Sequence, residues 1–203
     1  MLEKLLKKHK AALKDLTAVC VITGPGRFTG LRISLTFAAA LKTLAGIKVY
    51  SSTLFEILAM QACASGEFRA WAAGRKTPRL AAIVHAFKDE YFCQAFGVSG
   101  YRAQDKGYRF KALEAPRWLK DTELAGWLNA RGGELYVVAD AEEKPEIYSL
   151  VPAGFEKASA AVSRIAPEFI IKTGLALKNP DLKPLYLKPT RYEQEALAKA
   201  AHK

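Results

Sequence analysis

Residues Ala18–Ser34 read AVCVITGPGRFTGLRIS, and this stretch decides the fold. Val19, Val21 and Ile22 form an apolar, β-branched run of the kind found in buried strands. The run stops at Gly24-Pro25-Gly26, where glycine permits positive φ and proline interrupts a strand ladder. A helical pattern then opens near Thr29-Gly30, extends to about Ala45 and stops at Gly46 as a helix does before a left-handed residue. The unit predicted is strand, tight turn, helix. The helix N-terminus carries free N–H groups and the positive end of its dipole beside Arg27 and Arg32. Gly24, Gly26 and Gly30 are therefore candidate anion-binding positions. A turn that only lets the helix pack closely on its sheet is the competing reading.

The common nucleotide loops do not fit. A phosphate loop of the form GxxxxGK[ST] would need glycine where Thr29 stands, followed by a lysine and a hydroxyl residue. The dinucleotide fingerprint GxGxxG fails by one residue, because Gly24-x-Gly26 is followed by Gly30.

GPGRFTGLRIS resembles the GPGSFTGLRIG signature of the bacterial TsaB (YeaZ) family. Three further segments follow in the family's order. Residues 51–59, SSTLFEILA, are similar to its SSLEALA, and residues 85–91, HAFKDEY, stand where it has DARRGEV. Residues 184–189, PLYLKP, resemble its PVYLRP tail. Arg27 replaces a usual serine and Ser34 a usual glycine, while His85 and Phe87 replace the aspartate and arginine of DAR. Family members open with a strand of the type ILAIDTS and two more strands, whereas this chain begins with Leu2-Glu3-Lys4-Leu5-Leu6, already helical in pattern. Two accounts stay open: a shortened or divergent member, or a sequence whose start has been lost.

The resemblance implies an α/β fold of the duplicated actin-like ATPase (ribonuclease H-like) kind, with a truncated first subdomain. The expected boundaries are 1–78 and 79–203. Leu2, Leu5, Leu6, Ala12, Leu13 and Leu16 predict an amphipathic helix over 2–16. Strands are expected at Ala18–Thr23 and Ile47–Tyr50. A third helix starts from the capping-box spacing of Thr53 and Glu56 and runs to about Ala64. Residues 65–78 read as a linker. In the second half, Arg79–Ala86 and Glu90–Val98 form a hairpin and Tyr108–Leu113 a third strand. A helix runs from Pro116 to about Asn129, then come a strand at Glu134–Ala139, a helix at Glu142–Leu150, and a long helix from Ala158 to about Lys172 kinked at Pro167. The tail from Asn179 is expected to be extended. Three strands ahead of Leu2 would make the two halves alike.

The 203 residues are half hydrophobic, so the chain is globular and long enough to bury a core. No apolar run approaches the ~20 residues that span a bilayer, and the basic N-terminus lacks the apolar stretch of a signal peptide. Cys20, Cys63 and Cys93 are far apart and odd in number, which reads as reduced thiols in a cytoplasmic protein. With 31 basic and 20 acidic residues the net charge is +11, which favours nucleic acid or an acidic partner.

Catalytic spacing is missing. His9, His85 and His202 form no HxxxH or HExxH pair, and the chain lacks the histidine pair of the related catalytic TsaD family. No GxSxG elbow exists. Asp89 and Glu90 sit at a hairpin tip, where solvated turn residues are the default. His85 reads as a structural histidine at a strand end. No metal, cofactor or catalytic residue is expected.

The resemblance implies a non-catalytic subunit that scaffolds or activates a TsaD-like enzyme in threonylcarbamoyladenosine modification of tRNA. A TsaE-like ATPase is implied as a further partner and tRNA is met indirectly; because two strands cannot cover three apolar helix faces, a homodimer is expected when the chain is alone. Leu5, Leu6, Leu13, Arg27, Phe28, Thr29, Leu31 and Arg32 are the expected partner-binding residues. The alternative is a divergent paralogue acting as an independent basic RNA- or nucleotide-binding protein.

Overall fold

The computed structural model describes residues 2–102, 107–132, 134–142 and 144–188. His202 and the tail beyond residue 188 lie outside them. The chain opens with α1 (Leu2–Lys8) and a 3-10 turn at Leu13–Asp15, followed by β1 (Ala18–Gly24), α2 (Phe28–Ala45) and β2 (Lys48–Thr53). Then come α3 (Leu54–Ala64), α4 (Gly66–Ala72), β3 (Arg79–Phe87), β4 (Glu90–Arg102), β5 (Gly107–Ala112), β6 (Arg117–Lys120) and α5 (Asp121–Asn129). β7 (Leu135–Ala139), a 3-10 turn at Pro145–Leu150, β8 (Glu156–Lys157) and α6 (Pro167–Leu177) complete the order.

Two sheets result. β1 and β2 pair in parallel, as a strand–helix–strand unit must. The larger sheet runs β5-β4-β3-β7-β8, with β6 beside β4. β3, β4 and β5 pair antiparallel, and β7 then returns parallel to β3. The β7-to-β8 step repeats the parallel step from β1 to β2.

Period-two alternation sorts the large sheet's side chains into two cores. Leu80, Ala82, Val84, Phe96, Val98, Tyr136 and Val138 face α3 and α4. Ala81, Ile83, Tyr91, Cys93, Ala95, Leu135 and Val137 face α5 and the 145–150 turn. α3 is buried nearly all round, which suits its apolar composition. On the small sheet α2 covers Val21 and Val49 with Leu35 and Ala38. α6 packs on the same two strands, and its Gly174 stands where a Cβ would come within 2.6 Å of Cys20 Sγ.

Five expectations of secondary structure are corrected. The first helix ends at Lys8, because the chain turns at Lys10 with φ 52°, and Leu13 sits in a 3-10 turn instead. The 65–78 segment contains α4, capped by Ser65 Oγ, which accepts from Phe68 N at 3.1 Å. Phe68 is fully buried among Trp71, Tyr108 and Tyr136, so aromatic packing holds a helix where composition read as linker. Residues 117–120 form β6 on β4, and α5 starts only at Asp121. Residues 145–150 make a 3-10 turn rather than a helix from Glu142. Pro167 kinks nothing: it is the first residue of α6, where its missing N–H costs no hydrogen bond. It also holds Ala166 extended at φ −91°, ψ 130°.

Residues 179–188 form a strap. Asn179 O accepts from Ser51 N at 2.8 Å, Pro180 O from Lys42 Nζ at 3.5 Å, and Leu185 N donates to Thr23 O at 2.8 Å. Lys188 closes the strap on Glu90 of the large sheet, with Nζ 2.6 Å and 2.8 Å from its two carboxylate oxygens. Glu90 is therefore a strand residue in an ion pair rather than a solvated turn residue.

Candidate functional site

The strand–turn–helix unit predicted at residues 18–45 is present, with Arg27 at the N-cap position of α2 and no side chain capping the helix. Gly24 has φ +133°, and the Gly24–Pro25 peptide is cis. A Cβ at Gly24 would stand 2.8 Å from Leu185 O. Glycine is thus needed here because the strap lies directly against the turn. Leu31 fills the turn from below, within van der Waals reach of Gly24 and Gly26, and is only 7% exposed. It supports the surface from inside and does not present itself to a partner. Gly30 has open space where a Cβ would stand.

Phe28 and Arg32, one helical turn apart, meet Tyr186 of the strap. The Phe28 and Tyr186 rings stack with centroids 5.2 Å apart and planes 30° apart. Arg32 Cζ sits 3.8 Å over the Phe28 ring, and Nε donates to Tyr186 Oη at 3.2 Å. Phe28 is still 52% and Tyr186 45% exposed. Arg27 and Thr29 are exposed beside them. The structure thus brings Phe28 and Arg32 together with a residue that the sequence reading had not assigned to the site. Leu5, Leu6 and Leu13 lie apart on α1 and the following turn; Leu5 and Leu13 are exposed, and α1 buries no residue.

Sequence reasoning also missed the most exposed apolar residues of α2. Ile33 is 66%, Phe37 49% and Leu44 86% exposed. At ~100° per residue they share one stripe, opposite the buried Leu31, Leu35 and Ala38. The signal was the i, i+4, i+11 spacing, hidden by a helix whose other face is apolar too.

The other candidates make local contacts. His85 Nε2 lies 3.0 Å from Lys88 O, and its ring packs on Tyr91 at 5.5 Å. Burial pushes the Cys63 thiol up to about 12 and also raises Cys93 and, at the surface of the small sheet, Cys20. A hollow of about 560 Å³ beside the β3–β4 turn mixes Lys88 and Lys144 with Asp89, Asp121 and Glu146. Lys144 Nζ is spent there on Lys88 O at 2.9 Å. Among the described residues, no His, Cys, Asp and Glu are grouped to hold a metal ion, and no helix is long and apolar enough to cross a membrane.

Two solved structures from Pseudomonas aeruginosa share the architecture. One, described as an uncharacterized protein with similarity to peptidase YEAZ, superposes with a TM-score of 0.60 at 21% identity over 93% of this chain and 81% of its own. The other, described as YeaZ, gives 0.59 at 20% identity over 92% and 81%. The fold is that of the actin-like, ribonuclease H-like α/β proteins. A curated relative, the tRNA threonylcarbamoyladenosine biosynthesis protein TsaB of Buchnera aphidicola subsp. Schizaphis graminum (strain Sg), is 40% identical over 62 residues. That match spans 30% of each chain's length. A family model described as TsaD, tRNA N6-adenosine threonylcarbamoyltransferase, matches residues 1–106, just over half of the chain. The protein belongs to that family, and it is similar in part of its sequence to a protein named TsaB and in fold to proteins named YeaZ.

Proposed function

We propose that the chain is a non-catalytic subunit in the synthesis of threonylcarbamoyladenosine on tRNA, docking a TsaD-like catalytic partner through the first helices. The observation that carries this reading is the exposed stripe of Ile33, Phe37 and Leu44 on α2. Large apolar side chains lined up on one face of an otherwise well-packed helix mark an association surface. Leu5, Leu6 and Leu13, on α1 and the turn after it, serve as further docking residues. At the N-terminal end of α2, Thr29 stands beside the stripe and Arg27 about a third of a turn from it, as its polar rim, while Phe28 and Arg32 lie further round the helix. Of the candidate anion-binding positions, Gly24 lies against the strap and Gly26 against Leu31, and Gly30 alone of the three has open space beside it. A TsaE-like ATPase joins the assembly, and the work is done in the cytoplasm. Residues 1–78 and 79–203 act as its two subdomains, bridged by the strap. The name of the curated relative supports the pathway, and the absence of catalytic spacing in the sequence supports the scaffold role.

Mixing the purified chain with a TsaD-like protein tests this. Native protein should co-elute as a complex, and Phe37→Glu should abolish co-elution while leaving the melting temperature near the native value. A Phe37→Glu variant that still forms the complex overturns the docking face. Steady-state ATP turnover by the chain alone, lost on substitution within Gly24–Gly30, overturns the non-catalytic role.

A further inference from the structure

We propose that the Phe28–Tyr186–Arg32 cluster is a platform for single-stranded nucleic acid, on which an unpaired base stacks while Arg32 holds the neighbouring phosphate. This goes beyond the scaffold reading, in which the chain meets RNA only through its partner.

The platform is built by tertiary structure. Phe28 belongs to the first turn of α2, and Tyr186 arrives on the strap. Their rings are stacked at 5.2 Å yet remain about half exposed. Leu185 N on Thr23 O and Arg32 Nε on Tyr186 Oη hold the strap residue in place, so ordering the rings costs a ligand little. Arg32 spends only Nε within the cluster. Its two Nη groups make no hydrogen bond among the described residues, which leaves a donor fork matched to phosphate oxygens.

The surroundings suit a polyanion. The chain carries +11, and Lys178 at the end of α6 and Lys183 on the strap stand in a stretch with one carboxylate, Asp181, while Lys188 is held by Glu90. An acidic protein segment would use these cations but has no use for two exposed stacked rings. Nucleobases do, since stacking on aromatic side chains and arginine planes is how single strands are held. The platform faces away from the Ile33–Phe37–Leu44 stripe, so the two surfaces can be occupied together.

Anisotropy of a fluorescein-labelled single-stranded RNA, titrated with the full chain at rising salt, tests the proposal. Binding should weaken linearly in log–log form as salt rises. Phe28→Ala and Tyr186→Ala should each cost roughly 5- to 100-fold in affinity, the range for a lost stacked base. Tyr186→Phe should retain most of it. Phe37→Glu should bind RNA like the native chain, which separates failure here from failure of the docking face. Because Tyr186→Ala could also loosen the strap, 4-thiouridine RNA should be cross-linked to the unsubstituted chain and the adducts mapped. Adducts at Phe28 or Tyr186 support the platform. Adducts confined to other surfaces, duplex RNA bound as tightly as single strands, or displacement by polyglutamate with the same dependence on Tyr186 each overturn it.

Discussion

Gly24 and Gly30 stand six positions apart in one motif and do different work. Gly24 combines φ +133° with Leu185 O at 2.8 Å from a would-be Cβ, so an alanine meets both backbone strain and a main-chain oxygen. Gly24→Ala should destabilise the fold by about 1–3 kcal/mol or more. Gly30 is helical and meets nothing, so Gly30→Ala should be neutral or stabilising by up to about 1 kcal/mol. Paired thermal melts check this, at about 2–4 °C per kcal/mol for a chain of this size. Equal melting of Gly24→Ala and native protein would show that the strap is not seated on the turn. The need for glycine at the turn was legible from the sequence. Its partner was not, because Leu185 lies far along the chain and nothing local points to it. The same holds for Gly174, whose neighbour Cys20 belongs to β1.

Among the elements, α3 and α4 show how polar groups decide placement. Gln61 is buried, yet Nε2 donates to Val162 O and Arg164 O, both at 2.7 Å, and Oε1 accepts from Ala166 N at 3.0 Å. This clamp sets where α6 begins and keeps 158–166 from continuing as helix. Glu67 of α4 accepts from Tyr136 Oη at 2.5 Å and from Ser159 N at 2.9 Å. Burial alone would raise the Glu67 carboxyl, but these hydrogen bonds outweigh it and hold the group below its ordinary value. A depressed carboxylate stabilises above its unfolded value and loses that contribution as pH falls through the folded one. Stability should therefore drop on acidification below about 4.5, and Glu67→Gln should flatten that limb of the curve. Burial, with the Glu67 carboxylate close by, raises the Tyr136 hydroxyl, so stability should also fall as pH climbs above 10. Denaturant midpoints across pH check both limbs; a Glu67→Gln variant with the native acid limb would remove the carboxylate from the account. The strands and α2 were readable because apolar periodicity is local. α4, β6 and the start of α6 were not, because aromatic packing, pairing with β4 and the Gln61 clamp are all contacts across the chain.

For the whole molecule, exposed apolar side chains are the ground for expecting self-association of the isolated chain. Ile33, Phe37 and Leu44 are exposed on α2, Leu5 and Leu13 are exposed near the N-terminus, and α1 buries none of its residues. A closed pair of copies is the simplest way to cover such a surface in the isolated chain. Light scattering at micromolar concentration should give a mass near twice 22.3 kDa, falling to the single-chain value in Phe37→Glu. A native monomer that binds no exposed-surface dye would show that these helices need no cover.

By itself the sequence determined the α/β class, the strand–turn–helix motif, the hairpin of the second half and the family, since each rests on residue types at short spacing. Tertiary structure alone decided what covers the motif. The strap brings Leu185 to Gly24, Tyr186 to Phe28 and Arg32, and Lys188 to Glu90. The physical reason is that periodicity reports which side of an element is apolar, while the partner of a residue depends on how distant segments return in space. That is why Leu31, assigned to a partner from the motif, turned inward, and why Ile33 and Phe37, unremarked in the sequence, stand on the surface.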